Sequence, residues 1–188
     1  MKNGTVILFH HDSIPHSLGR LVGRLIGFFT GSDYVHAAVW FKGCTWESAF
    51  SGPCRKPGLP AAEHLLYLEP RRELGPAESR KMGSYLESKL GPGVVYNLFK
   101  LLSLILVYPT RRVWKRIGWV PFQNDFFGVI CSVYVDEAFK AAGIDLLPDC
   151  YAEYTAPGDF EHSDLLQQVH TGSQLPGLGR SADGSVKP

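Results

Sequence analysis

The chain has 188 residues, 45% of them hydrophobic, enough to bury one sizeable core, so a single domain over residues 1–170 is expected. Nineteen Lys and Arg against 18 Asp and Glu leave a net charge of +1, which excludes a global basic field for nucleic acid. The short clusters Arg71-Arg72 and Arg111 to Arg116 read as solvated faces.

The elements follow in order. Thr5 to Phe9 is apolar and β-rich, a first strand. Its N-terminal flank has neither the apolar length nor the small-residue cleavage site of a signal peptide, so a reducing, cytoplasmic home is expected. Ser17 to Phe29 repeats apolar residues at helical spacing, with Arg20 and Arg24 opposite and Gly31 as a stop. Val35 to Phe41 and Cys44 to Phe50 form a hairpin around Lys42-Gly43. Ser51 to Ala62, rich in Gly and Pro, reads as a loop. Leu65 to Leu68 is a short strand, and Pro76 to Leu90 an exposed helix ending before Gly91.

Val94 to Tyr108 is the longest apolar stretch, too short to span a bilayer and interrupted by Asn97 and Lys100. A buried helix is expected there; the alternative is an apolar wall for an acyl chain or a membrane contact. A helix follows from Asp125 to Ala142 and stops at Gly143. Residues 171–188 are rich in Gly, Ser and Pro and read as a disordered tail.

The chemistry centres on Cys131, where the apolar run meets a patterned helix. A thiolate attacks, so a catalytic Cys needs its pKa lowered, and a helix beginning near Cys131 supplies partial positive charge and N–H donors. On the helix alone, a small buried hydrophobe is the simpler account of this residue. His36 changes that balance, because an unpaired imidazole is costly to bury in an apolar strand. Pairing across the Lys42-Gly43 turn sets Ala38 opposite Glu47 and puts His36 and Glu47 on one face as diagonal neighbours. Glu47 then accepts the Nδ1 proton and fixes the ring. Cys131, His36 and Glu47 fill the roles of nucleophile, base and orienting acid. Tyr34 is a further candidate to line the cleft.

The other candidates are weaker. The cysteines 44, 54, 131 and 150 show no CxxC spacing, which argues against zinc. Cys44 points away from His36, and Cys150 beside Asp149 has its thiol pKa raised. His10 and His11 follow the first strand; successive strand residues face opposite ways, so they are not expected to share a metal, and one lines the cleft rim. His16 precedes the first helix, and His64, His162 and His170 read as surface residues. No cofactor and no metal are expected.

These residues resemble the circularly permuted branch of the NlpC-type papain-like cysteine hydrolases, the YiiX-like group. The likeness runs through Gly4-Thr5-Val6-Ile7-Leu8-Phe9, Gly31-Ser32-Asp33-Tyr34-Val35-His36-Ala37-Ala38-Val39 and Trp46-Glu47-Ser48-Ala49. It continues in Gly93-Val94-Val95-Tyr96-Asn97, Cys131-Ser132-Val133-Tyr134-Val135 and Pro157-Gly158-Asp159-Phe160, and covers residues 4–166. Thr5, Asn97 and Val133 each stand where the family pattern carries an acid. The resemblance implies an α+β, papain-like fold, an antiparallel sheet packed against helices. It carries Cys131, His36 and Glu47 over as the triad, with Tyr96 lining the cleft and the Cys131 N–H in the oxyanion hole beside a second donor. It implies a thiol peptidase or amidase, with a peptide such as a bacterial murein stem as substrate, in a bacterial or phage setting. A related permuted branch resembles lecithin:retinol acyltransferase, which keeps a lipid acyl hydrolase or transferase open. A binding module that retains the fold is the non-catalytic alternative.

Overall fold

A computed structural model describes residues 1–13, 17–49, 51–91, 107–110, 113, 116–117 and 130–171. Tyr96, most of the 94–108 segment, the Asp125 helix start and the 172–188 tail lie outside the described residues. Strands β1 (Thr5–His10), β2 (Tyr34–Phe41), β3 (Cys44–Ala49), β4 (Gly52–Pro57), β5 (Leu65–Pro70) and β6 (Leu166–Thr171) form one sheet in the order β4-β3-β2-β1-β5-β6. Each neighbouring pair is antiparallel. Helices α1 (Ser17–Thr30), α2 (Pro76–Ser88) and α3 (Cys131–Ala141) complete the framework. The architecture is α+β.

Side-chain alternation decides which face each strand buries. Val6 and Leu8 of β1, and Val35, Ala37, Val39 and Phe41 of β2, meet Val133, Tyr134, Val135, Ala138 and Phe139 of α3 in the main core. A smaller cluster on other positions joins Ile7, Ala38, Leu65 and Tyr67. Helix α2 packs behind α3, where the Tyr134 hydroxyl donates to the Leu86 carbonyl at 3.1 Å. Val133 and Thr5, two of the positions where an acid was expected by resemblance, are both fully buried. Val133 fills the core, and the Thr5 hydroxyl donates to the Lys2 carbonyl at 2.7 Å.

The β2–β3 turn has φ of +48° at Lys42 and +75° at Gly43. Two consecutive positive φ values match the right-handed twist of the strands and fix the register. Ala38 therefore lies opposite Glu47 and Trp40 opposite Thr45. Two strands were not expected. β4 runs through the Gly- and Pro-rich stretch read as a loop, because its backbone pairs along β3 from Ala49↔Gly52 to Thr45↔Lys56. Pro53 and Pro57 are tolerated there because β4 lies at the sheet edge. β6 forms the other edge, pairing Pro70↔Leu166 through Leu66↔Thr171. Neither strand has a clean apolar alternation to announce it.

Candidate active site

Helix α3 begins at Cys131, six residues beyond Asp125. Its cap, Ile130, is extended (φ −85°, ψ 159°) and has no side chain to satisfy the first-turn N–H groups. Such donors act on what stands at a helix start. The Ser132 N–H donates to the Cys131 sulfur, and the Ala37 N–H donates to it from β2. The β2–β3 pairing runs from Phe41↔Cys44 to Ala38↔Glu47, so Ala37 lies just past its end. Cys131 is only 4% exposed.

His36 hydrogen-bonds Glu47, with Nε2 2.7 Å from Oε2. The carboxylate thus holds Nε2, not the expected Nδ1, which leaves Nδ1 for the hydrogen bond that His36 makes with Cys131. The imidazole thus bridges Glu47 of β3 and Cys131 of α3. The Phe9 ring meets the imidazole edge-on, with centroids 5.0 Å apart, and limits its rotation.

The charges reinforce one another. Burial alone would raise the Cys131 thiol pKa, but the charge and hydrogen bond of His36 and the N–H groups of Ala37 and Ser132 outweigh it and lower it. Burial alone would lower the His36 pKa; Cys131 and Glu47 instead raise it to about 10. Glu47, only 6% exposed, is held as a carboxylate with a pKa of about 2, because His36 and Lys56 overcome the cost of its burial. All three shifts run in the direction of a thiolate–imidazolium pair flanked by a carboxylate.

Sequence reasoning missed Lys56. It forms an ion pair with Glu47 Oε1 from β4, the strand taken for a loop. Only a strand pairing there places Lys56 opposite Thr45, on the face of Glu47. Since Glu47 titrates at about 2 rather than 4.5, its pairing stabilises the fold fully above the unfolded value and is lost as pH falls between them. Lys56→Met therefore shifts the acid-unfolding midpoint upward, read by circular dichroism between about pH 5 and 2. An unchanged midpoint would mean that Lys56, well exposed, does not hold Glu47.

Other candidates fall into place. Tyr34 is half-buried and packs against the main core, its ring 6.2 Å from that of His10. Cys44 is half-buried opposite Phe41, on alternate parity to Glu47. Cys150 is buried in the main core. Cys54 lies opposite Glu47, and burial and that carboxylate raise its thiol pKa, so it is a poor nucleophile. The closing element at Pro157 braces the entry to β2. A Cβ on Gly158 would lie 2.2 Å from the Ser32 hydroxyl oxygen, so only glycine fits. Asp159 accepts from the Ala156 N–H at 2.7 Å and from the Tyr108 hydroxyl at 2.8 Å.

The histidine pair corrects another expectation. The register shifts between Phe9 and His10, with Val35 of β2 as the extra residue, and His11 already belongs to the short 3-10 turn after β1, where strand alternation no longer applies. The two rings lie 4.0 Å apart, and ligand atoms of His10, His11 and Asp33 are all within 4.8 Å of one another. The backbone reason for excluding a shared ion therefore fails. His64, exposed as expected, stands with its ring 5.9 Å from that of His10.

Neither a family model nor a curated protein matches the chain. Among solved structures, it is similar to metalloprotein YiiX from Escherichia coli O157:H7, with a TM-score of 0.59 and 14% identity. The alignment covers 90% of this chain and 97% of that one. The fold is YiiX-like. In this YiiX-like fold, Cys131, His36 and Glu47 meet where α3, β2 and β3 converge. Among the described residues, no helix is long and apolar enough to cross a membrane.

Proposed function

We propose that this protein is a thiol hydrolase that cleaves an amide bond, with Cys131 as nucleophile, His36 as acid and base, and Glu47 as the group that orients and stabilises the imidazolium. The observation that carries the reading is His36, bonded to Glu47 at 2.7 Å by one nitrogen and to the Cys131 sulfur at a helix N-terminus by the other. A buried structural cysteine needs neither an imidazole partner nor a carboxylate behind it.

The proton already resides on His36 in the resting pair. The Cys131 thiolate attacks the carbonyl carbon, and its oxygen takes up the negative charge. That oxyanion is met by the Cys131 N–H at the start of α3. As the C–N bond breaks, His36 gives its proton to the leaving amine, and the acyl group stays on sulfur as a thioester. Neutral His36 then takes a proton from water as the hydroxide attacks the thioester. Breaking of the C–S bond releases the acid and restores the thiolate–imidazolium pair. Glu47 stays ionised throughout.

The favoured substrate class is a peptide such as a murein stem, by resemblance. The lipid-ester reading draws on a cavity of about 300 Å³ beside Glu47, lined by Phe9, Leu59 and the Pro57, Pro60, Ala61 and Ala62 loop, with Thr45 and Lys56 as its polar groups. A substrate panel tests both. Murein-stem peptides and acyl esters are incubated with the protein, and products and intact mass are followed together. The expected result is peptide cleavage with an acyl adduct on Cys131. Turnover of esters alone would assign the lipid reading. No turnover and no adduct with either class would leave a binding module.

A further inference from the structure

We propose that His10, His11 and Asp33 form a binding site for a first-row divalent transition metal ion at the end of β1, separate from the thiol chemistry. Three features of the fold build it. The register shift at Phe9/His10 sets Tyr34 opposite His10, with their rings 6.2 Å apart, and the 3-10 turn brings the His11 ring beside that of His10, 4.0 Å between centroids. Asp33 arrives from the loop before β2, fixed by the hydrogen bond from the His11 N–H to its carbonyl at 3.0 Å. The His10 N–H donates to the His64 carbonyl at 3.2 Å, which anchors the other side of the turn. The backbone thus sets the three side chains before any ion arrives.

The donor chemistry selects the ion. Two imidazoles and one carboxylate suit zinc and its neighbours, whereas magnesium and calcium prefer all-oxygen shells. Ligand atoms within 4.8 Å of one another need only small rotations to reach the roughly 2.0–2.2 Å bonds of such an ion. The Asp12 carboxylate lies 3.3 Å from His10 Nδ1 and 3.4 Å from His11 Nε2, placed to orient both rings. Residues His11 and Asp33 also line a surface cavity of about 290 Å³ with Arg24, Gly27 and Ser32, leaving room for water or an anionic ligand on the ion. His64, with its ring 5.9 Å from His10, is near enough to approach as a further imidazole.

The site borders the thiol centre without sharing a group with it: Phe9 pairs with His36, and the next residue, His10, pairs with Tyr34. It can therefore stand or fall independently of the proposed hydrolase. The test strips the full-length protein of metal with a chelator, then titrates zinc chloride by calorimetry and cobalt chloride by absorption. The expected result is one equivalent of zinc bound. Cobalt should give visible ligand-field bands with no thiolate charge-transfer band. His11→Ala and Asp33→Asn should each weaken zinc at least about tenfold, with metal-free circular dichroism and melting unchanged. No stoichiometric binding, a cobalt–thiolate band, or wild-type affinity in either variant would overturn the site.

Discussion

Iodoacetamide should label Cys131 rapidly at about pH 6, where an ordinary thiol with a pKa of about 8.5 is almost wholly protonated, and His36→Ala should slow that labelling by about 100-fold or more. The size follows from the ion pair. His36 lowers the Cys131 pKa by its charge and its hydrogen bond, against burial that raises it. With the imidazolium gone, the burial cost remains and only the Ala37 and Ser132 N–H groups oppose it, so the thiol moves up. The lower intrinsic nucleophilicity of a low-pKa thiolate offsets part of the gain, which is why the expected factor is smaller than the change in thiolate fraction. The wild-type rate should stay nearly flat from mild acid to beyond neutrality. Only near pH 10 does His36 lose its proton, and there the sulfur is already a thiolate. A wild-type rate that simply follows an ordinary thiol, unchanged in His36→Ala, would remove the catalytic reading.

Turnover should respond still more steeply. Cys131→Ala removes the only group proposed to form the thioester and should lower kcat/KM by at least about 10³-fold, while His36→Ala should cost about 10²–10⁴-fold. Glu47→Gln is the more informative variant. It keeps an oxygen that accepts the Nε2 proton, so the ring stays oriented, but it removes the negative charge that helps raise the His36 pKa to about 10. A loss of about tenfold is expected, together with an alkaline limb of the pH–rate profile shifted to lower pH. Equal activity and an unmoved limb in Glu47→Gln would show that Glu47 serves packing alone. The Cys131→Ala protein is isosteric enough to fold, and its thermal melting checks that the loss is chemical.

Much of the site was legible along the chain. A turn of two residues and the period of two in β-strands are local rules, so the Lys42-Gly43 hairpin alone placed His36 and Glu47 on one face. The apolar alternation of β1 and β2 and the patterned helix expected from Asp125 to Ala142, seen from Cys131 to Ala141, likewise report burial directly. Other features depend on partners distant in sequence. β4 carries Pro53 and Pro57 and becomes a strand only because β3 offers its edge, and with it Lys56 reaches Glu47. β6 forms at the other edge for the same reason. The choice of Nε2 over Nδ1 was set by where α3 sits relative to β3, which no spacing within one strand encodes.

By itself, then, the sequence determined the hairpin register, the amphipathic helices and the residue types able to make an activated thiolate, because each depends on side-chain pattern within one or two adjacent elements. Tertiary structure alone decided the edge strands, the Lys56 support of Glu47, the direction of the His36 ring and the meeting of His10, His11 and Asp33. These arise from packing across chain separations and from the turn after β1, where strand alternation ends.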